Sequence, residues 1–577
     1  MVQKFDPITL EILWARLISI AEEADASIAR TAFSTIVRDA HDYSTIITDA
    51  YGREICQGPR VTPGQCGGLV LGIKKIVNMF PMDSFKPGDV LVSNDPWLLA
   101  GHLNDICVLA PIFYEGKVVA FAACTFHHGD IGGKVSADDS EVYEEGIFLP
   151  PVKIIDGGVD NKAVFDIVQW NVRQPRLSLG DLRSQIAATY VASQGVIQMM
   201  EDVGLDTLDD LAAEIFRLSE KGMRDGIEQI PDGVYTAEGT IEAGQKQEAT
   251  IKVAVEVKGS DVTFDFEGTS PQVNWAANTV FNFTYAYCLY AIKTICSPDV
   301  PNNEGCAAPI HVKAPEGSYV NATFPAAVGT RIIGGQWVFD VIYRALAPVV
   351  PKQVLASSGA VPSWLTIFWG KRARGDKFLT VSIGGGGMGG GYGYDGHSPA
   401  HFPTNASNTP AEIFESDTPL LVEAREMVSD SGGAGKQRGG LGYRDVYKVP
   451  ADEQAPQEPV TAILFHCARF EEGAPGLFGG KDGAKGGYMI NGVPKDWGNA
   501  EFLKRGDTVI HIHGGGAGYG DPLDRDPEMV EKDVINEYVS LEKAKKDYGV
   551  VIDPTTLKVD FKATQELRDS MKKSKSS

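Results

Sequence analysis

Apolar residues recur at helical spacing from Ile8 to about Phe33, through Leu10, Leu13, Leu17, Ile20 and Ala21. Asp6 followed by Pro7 supplies an N-cap acid and a proline at the first helical position, so a helix is predicted to start there. The pattern then changes. Residues 44–56 (STIITDAYGREIC) read as two strands around an Asp-Ala-Tyr-Gly turn. Residues 63–80 (PGQCGGLVLGIKKIVNMF) read as a glycine-rich loop running into a helix, and KPGDVLVSNDP as turn, strand and turn. Residues 106–113 (ICVLAPIF) and 117–126 (KVVAFAACTF), joined by YEGK, are nearly continuous apolar runs. Such runs fit neighbouring strands of a sheet covered on both faces.

Residues 179–230 are predicted to be mainly helical, amphipathic and acidic. From 231 to about 275 the pattern turns to strands (IKVAVEVKGSDVTFDFEG), and a helix is expected over 276–295. Glycine then dominates, in SIGGGGMGGGYGYDG, SDSGGAGKQRGGLG, GAPGLFGGKDGAKGG and HGGGAGYGDP. These segments separate strand-like pieces, and a charged helix pair is predicted after Pro527. No fixed-period repeat is present. The expected class is α/β in a mixed α+β sense and multi-layered. It has a helix-rich N-terminal half with a buried sheet and a β-rich, glycine-loop-rich C-terminal half. The corresponding regions are 1–230 (α/β), 231–340 (strand-rich), 341–522 (β and glycine) and 523–577 (helical).

Composition narrows the function. At about 150 residues per domain, 577 residues suggest about four domain-sized units. The net charge of −23 argues against nucleic-acid binding, which needs clustered Lys and Arg. Only SMKKSKSS at the end is locally basic, and it reads as a frayed tail. Eight thinly spread cysteines, with no Cys-x-x-Cys pair, read as reduced thiols of a cytoplasmic protein. Asp6 and Glu11 interrupt any secretory apolar stretch, and with no run of 18 apolar residues no membrane helix is expected.

The candidate chemistry lies in the rare histidines. The chain has ten, and His102, His127 and His128 fall close together with Asp105 and Asp130. His102 and Asp105 lie just before one predicted strand and His127 just after the next. If those strands form a hairpin, their outer ends meet. Two imidazoles and a carboxylate suit Zn²⁺, Mn²⁺ or Fe²⁺. A fourth ligand is expected from RDAHDYS, Asp42 first and His41 or Asp39 otherwise, and an open position would take water or a carbonyl oxygen. The plainer reading of the same residues is a buried, hydrogen-bonded His–Asp pair. His128 is expected to point the opposite way from His127. Asp130 either orients a histidine or caps the Asp-Ile-Gly-Gly turn.

No nucleotide site is legible. GAGKQ carries Gln437 where Mg²⁺ needs a hydroxyl, and GGGAGYGD has no βαβ unit after it, so the glycine segments read as tight turns and close backbone approach. His511 and His513 share one strand face with no obvious acid and read as structural. Cys107 and Cys124, inside apolar strands, read as inert.

The stretches RDAHDYS, SNDPW…GHLNDICVLAPIF, HHGDIGG, GTSPQVNWAANTV, PDVPNNEGCAAPIHVKAPEGSYVNATFPAAVGTR, DSGGAGKQRGGLG and GGGAGYGDPLDRDPEMVEKDV carry a resemblance. The chain resembles the hydantoinase B/oxoprolinase family, the B-type subunits of ATP-dependent hydantoinases and lactamases. More distantly it is similar to the alpha-type subunits of acetone and acetophenone carboxylases. The resemblance implies a metal, most simply zinc, on Asp42, His102, Asp105 and His127. It also implies ATP-Mg on a separate A-type partner with an actin-like nucleotide fold, in an α2β2-like hetero-oligomer. Where the family has a His-Leu-Gly-type segment, this chain has VTPGQCGGLVLG (61–72), a departure that bears on the substrate pocket.

The expected reaction is the ATP-dependent opening of a cyclic amide (lactam, hydantoin or 5-oxoproline-like), with His128 and Asp130 as candidate proton carriers. The alternative within the resemblance is a ketone carboxylase, which the compact length disfavours. Two readings of other classes are a non-haem iron oxygenase, which needs neither ATP nor Asp42, and a scaffold subunit with a structural metal.

Overall fold

The computed structural model describes residues 5–242, 247–452, 455–456, 458–467 and 469–576. The chain forms two compact units. The first comprises Met1–Val349 with Lys377–Val381 and Thr404–Pro410, and the second comprises Val350–Asp376, Ser382–Pro403 and Ala411–Ser577. The class is mixed α/β, as expected.

The first unit is built on a seven-stranded antiparallel sheet of β1 (Tyr43–Asp49), β2 (Glu54–Gln57), β3 (Val90–Ser93), β4 (Asp105–Tyr114), β5 (Lys117–His127), β6 (Val152–Asp156) and β7 (Val159–Asp160). The spatial order is β2-β1-β5-β4-β3-β6-β7. Strands β4 and β5 are the predicted hairpin. Glu115 and Gly116 close it, both with positive φ (48° and 79°), the two-residue arrangement whose twist matches that of the strands it joins.

The unit's helices are α1 (Pro7–Thr31), α2 (Thr35–Arg38), α3 (Pro63–Met79), α4 (Val142–Glu145), α5 (Lys162–Asn171), α6 (Pro175–Val203), α7 (Asp209–Ile227), α8 (Phe281–Cys296), α9 (Glu304–Ala307) and α10 (Ile332–Leu346). Asp6 caps α1 as the sequence predicts, its Oδ1 accepting the N–H groups of Ile8 and Thr9, each at 3.1 Å.

Both faces of the central hairpin are covered, which is why its sequence is apolar without alternation. Leu69, Ile73 and Ile76 of α3 pack on Ile46, Cys107, Leu109, Phe121 and Ala123. Helix α6 lies on the other face, where Gln185 Nε2 donates to the carbonyls of Ile106 (2.7 Å) and Cys124 (3.1 Å).

The expected glycine-rich loop before α3 is not a loop, because the helix begins at Pro63 and contains Gly64, Gly67, Gly68 and Gly72. These glycines serve proximity. A Cβ on Gly67 would lie 2.6 Å from Ala286 Cα of α8, and one on Gly72 would lie 1.9 Å from the Leu98 carbonyl oxygen. A second sheet, β11-β10-β9-β8, is formed by β8 (Gly233–Glu242), β9 (Glu248–Lys258), β10 (Asp261–Asp265) and β11 (Ile310–Lys313), inside the segment read as strand-rich. Helix α8 starts later than expected. The Asn278 side chain holds residues 273–278 in a loop, accepting from Val273 N (2.7 Å) and donating to the carbonyls of Val273, Trp275 and Ala327.

In the second unit, strands Trp364–Lys371, Val460–His466 and Ala500–Leu503 run side by side. A five-stranded sheet joins Leu421–Met427, Tyr443–Lys448, Thr508–Ile512, Gly487–Ile490 and Val493–Pro494. The glycine segments combine turns, with positive φ at Gly393, Gly479 and Gly520, and the expected close backbone approach. They lie backbone against backbone, with Gly387 N bonded to Gly514 O (3.0 Å), Gly433 N to Gly516 O (2.8 Å) and Gly516 N to Gly440 O (2.9 Å). A Cβ on Gly439 would meet Gly516 O at 1.9 Å, so side chains are excluded by the neighbouring backbone.

His511 and His513 are buried. An acid does stand beside His513, Asp445 Oδ2 at 3.6 Å from its Nε2, brought there from a neighbouring strand. The C-terminal segment has three helices rather than a pair, Pro527–Ile535, Leu541–Tyr548 and Phe561–Ser576, the second ended by left-handed Gly549 (φ 61°). Among the described residues no helix is long and apolar enough to cross a membrane.

Candidate metal centre

The strand order β1-β5-β4 gathers the candidate ligands at one end of the sheet. Asp105 opens β4 and His127 closes β5, and the register sets the two opposite each other. Asp42 immediately precedes β1, which pairs Tyr43 with Phe126, so the His127 N–H reaches the Asp42 carbonyl at 3.1 Å. His102 comes from the turn before β4.

The ligand atoms of His102, Asp105 and His127 lie within 4.8 Å of one another, all three side chains buried. Asp105 Oδ1 is 2.9 Å from His102 Nε2 and 3.3 Å from His127 Nδ1. Asp42 Oδ2 is 3.9 Å from His127 Nδ1. With metal bonds of about 2.0–2.2 Å, ligands around a tetrahedral ion stand roughly 3.3–3.5 Å apart.

The surrounding hydrogen bonds decide which atoms face inward. His102 Nδ1 is 3.1 Å from the Gly329 carbonyl, which can only accept, so Nδ1 carries the proton. Nε2 is then left with a lone pair. It is buried, has no hydrogen-bond partner, and faces the carboxylate oxygen of Asp105. Two electron-rich atoms in close contact with no proton between them call for a cation. Burial, helped by the Arg331 charge, lowers the His102 pKa to about 4, keeping the ring in the neutral form that ligates metals.

Asp105 divides its two oxygens. Oδ2 takes Arg331 Nη2 at 2.5 Å, while Oδ1 faces the histidines. Burial alone would raise this carboxyl, but its ion pair with the buried Arg331 guanidinium outweighs that and holds Asp105 well below the usual carboxylate range. Arg331 is itself buried, with Nε donating to Ala100 O at 2.5 Å and its guanidinium 4.1 Å over the Phe283 ring. Gln65 Nε2 donates to Asp42 Oδ1 (3.0 Å) and Asp105 Oδ1 (3.4 Å), while its Oε1 accepts from Ser44 Oγ (2.9 Å). Burial, with His127 opposing and Asp105 adding, pushes the Asp42 pKa up to about 6. Behind the Gly329 carbonyl, Glu145 Oε1 accepts the N–H groups of Val328 (2.6 Å) and Gly329 (2.5 Å).

The other sequence candidates lie elsewhere. His128 is on the α6 side of the sheet, its Nε2 3.0 Å from Gln185 Oε1. Asp130 accepts from Gly132 N (3.2 Å), Gln174 N (2.7 Å) and Arg173 Nη1 (3.5 Å), which caps the turn. Asp39 pairs with Arg38 at 2.8 Å, and His41 adopts a left-handed backbone (φ 56°) with its ring 6.2 Å from Tyr43. Cys107 and Cys124 are buried thiols whose pKa values burial pushes up.

Gln65, Arg331 and Glu145 escaped the sequence reading. Gln65 sits in the segment 61–72 noted for its departure, and Arg331 ends the block AAVGTR. Glu145 lies in an acidic run that gives no local sign of a buried role.

Residues 6–522 match the description Hydantoinase B/oxoprolinase. The chain is 33% identical over 598 residues to a protein of Pseudomonas sp. (strain NS671) provisionally named as the B-type subunit of a D-/L-hydantoinase, 98% of each being covered. The crystal structure of ATP-dependent caprolactamase from Pseudomonas jessenii contains a chain with a TM-score of 0.88 at 27% identity. The match spans 98% of this chain and 100% of that one. A nucleotide-free acetone carboxylase has a TM-score of 0.89 at 20% identity, over 100% of this chain and 84% of that one, a likeness of fold alone. By sequence over nearly its whole length and by fold, the chain belongs to the hydantoinase B/oxoprolinase family.

Proposed function

We propose that this chain is the metal-holding B-type subunit of an ATP-dependent hydrolase that opens a cyclic amide. It would act with an ATP-binding A-type subunit in an α2β2-like assembly. The observation that carries this reading is the buried, unpartnered Nε2 of His102 facing Asp105 Oδ1, with His127 and Asp42 alongside. The relatives support the class, one being named as a hydantoinase subunit and one as an ATP-dependent caprolactamase. Eight free cysteines support a reducing, cytoplasmic setting.

A lactam, hydantoin or 5-oxoproline-like ring is a poor electrophile because its amide is resonance-stabilised. Phosphorylation of the amide oxygen, with ATP-Mg on the partner, removes that resonance. A zinc ion, or manganese or iron, held by Asp42, His102, Asp105 and His127 would supply a Lewis acid that polarises a carbonyl and lowers the pKa of water to about 7.

The chain's own groups set the geometry for this. Gly329 O fixes the His102 ring through Nδ1, and Arg331 keeps Asp105 ionised through Oδ2. Gln65 holds Asp42 by Oδ1, leaving Asp42 Oδ2 turned toward His127 as the oxygen that would ligate the ion. His128 and Asp130 act in this reading as positioning groups, through Gln185 and through the turn at Gly132.

The test is co-purification with the A-type subunit, metal analysis by mass spectrometry, and ring-opening assays on hydantoin, 5-oxoproline and caprolactam with and without ATP. Near-stoichiometric metal and ATP-dependent opening are expected. Ketone carboxylation with bicarbonate, or ATP-independent oxygen consumption, would replace the reading with the carboxylase or the iron oxygenase.

A further inference from the structure

Away from the metal centre, the first unit holds a cavity of about 260 Å³ beside the close contact of α3 with α8, at Gly67 and Ala286. A second hollow of about 380 Å³ adjoins it and shares Gln57, Tyr290, Lys293 and Asn302 in its lining. None of Asp42, His102, Asp105 and His127 lines either.

Two ionisable side chains in the cavity wall are buried without a salt-bridge partner among the described residues. Glu54, on β2, is 2% exposed, and its Oε1 has no hydrogen-bond partner. Lys293, on α8, is 5% exposed, and its ammonium donates only to the backbone carbonyls of Ser297 and Pro298 (3.4 Å to the latter). Among the described residues it pairs with no carboxylate, and Glu54 and Lys293 do not pair with each other. Burying one unpaired acid and one unpaired base is costly, and both are retained in the wall of one cavity.

We propose that this cavity binds a small amino-carboxylate, with the ligand's carboxylate on Lys293 and its ammonium on Glu54. The chemistry is complementary at both ends, since each buried group gains the opposite charge it lacks, and Gln57 and Asn302 offer amides to the remaining lone pairs and protons. The ligand class rests on the proposed function, because hydrolysis of a lactam turns its C–N bond into one carboxylate and one ammonium on the same molecule. The cavity then holds a ring-opened product or a compound resembling it. Burial, with the Glu304 charge adding and Lys74 opposing, pushes the Glu54 carboxyl up to about 8, and burial lowers the Lys293 ammonium from its ordinary value, so an opposite charge brought to either group would be favourable.

The experiment is calorimetric titration of the purified chain, with its A-type partner where the two co-purify, using 5-aminopentanoate, pentanoate and pentylamine. The zwitterion is expected to bind at least about tenfold more tightly than either single-charge analogue. Glu54→Gln should abolish the preference over pentanoate, and Lys293→Met the preference over pentylamine. His102→Ala should leave the binding unchanged. Equal affinity for all three probes, or binding lost in His102→Ala and kept in both cavity variants, overturns the proposal. Neither result touches the metal analysis and ring-opening assays on which the proposed function stands.

Discussion

Asp105 and His127 stand opposite each other as the first residue of β4 and the last of β5, with Oδ1 and Nδ1 3.3 Å apart. Their meeting is a consequence of hairpin register. The two-residue turn at Glu115 and Gly116 and the irregularity between Ile112 and Phe113 set the pairing of the whole ladder. A slip of one residue would send every β5 side chain to the opposite face, placing His127 on the α6 side and leaving Asp105 with His102 alone. The centre thus depends on the turn at the far end of the hairpin as much as on its own residues.

Replacing His102 by alanine removes a nitrogen ligand and the bond to Gly329. The variant is expected to lose bound metal and ring-opening activity while keeping its secondary structure, since the apolar packing of β4 and β5 does not involve the ring. Metal analysis beside circular dichroism is the check, and a folded variant that retains both metal and turnover would sink the assignment.

Arg331→Met tests whether the centre is built for a cation. Removing one partner of a buried ion pair costs about 3–5 kcal/mol, because the other charge is left without compensation. Asp105 would be that stranded charge in metal-free protein. Metal bound to Oδ1 supplies the missing positive charge, so the loss of thermal stability should be large with a chelator present and clearly smaller with saturating Zn²⁺. An equal loss under both conditions would mean that no cation shares Asp105 with Arg331.

The hairpin and the gathering of His102, Asp105 and His127 at its end were legible because they are local. Two apolar runs joined by a short turn dictate a pair of strands, and the pair dictates that His102, Asp105 and His127 meet. Asp42 was the first choice within RDAHDYS and the resemblance pointed to it again, although its approach depends on β1 pairing with β5 rather than on local pattern. Gln65, Arg331 and Glu145 were not legible, since each is an ordinary polar residue in its own neighbourhood, Arg331 reaches the centre from far along the chain, and Glu145 acts through the distant backbone at Val328 and Gly329. The glycines misled for a physical reason. Composition cannot distinguish a glycine needed for a loop from one needed inside a helix because another backbone lies where Cβ would be, as at Gly67 and Gly72.

Gly67→Ala separates those two uses. In an exposed helix interior the change would stabilise by roughly 1 kcal/mol through helix propensity. At Gly67 the new methyl would lie 2.6 Å from Ala286 Cα, a backbone atom that cannot swing aside. Overpacking of this kind costs about 1–3 kcal/mol. The variant should therefore unfold at lower urea concentration than the wild type. A rise in the midpoint would show that α3 and α8 can separate at little cost.

Glu145 gives the pH dependence. Burial pushes its pKa from 4.5 to about 8, against the two N–H groups it accepts and with help from Asp139 and Glu144. A carboxyl whose folded pKa is raised stabilises the fold fully below its unfolded value and loses that contribution as pH rises through the folded one. Wild-type thermal stability should therefore decline between about pH 4.5 and pH 8 by an amount missing from Glu145→Gln, which keeps an acceptor oxygen and never ionises. Glu145→Ala should behave differently, leaving the Val328 and Gly329 amides unpaired at about 1–3 kcal/mol and freeing the carbonyl that orients His102. Loss of such an outer hydrogen bond weakens metal binding by roughly 10–100-fold. Competition with a chromogenic chelator at pH 7 should show that loss in the alanine variant and near wild-type affinity in the glutamine variant. Equal affinity in all three proteins would show that Gly329 holds His102 without help from Glu145.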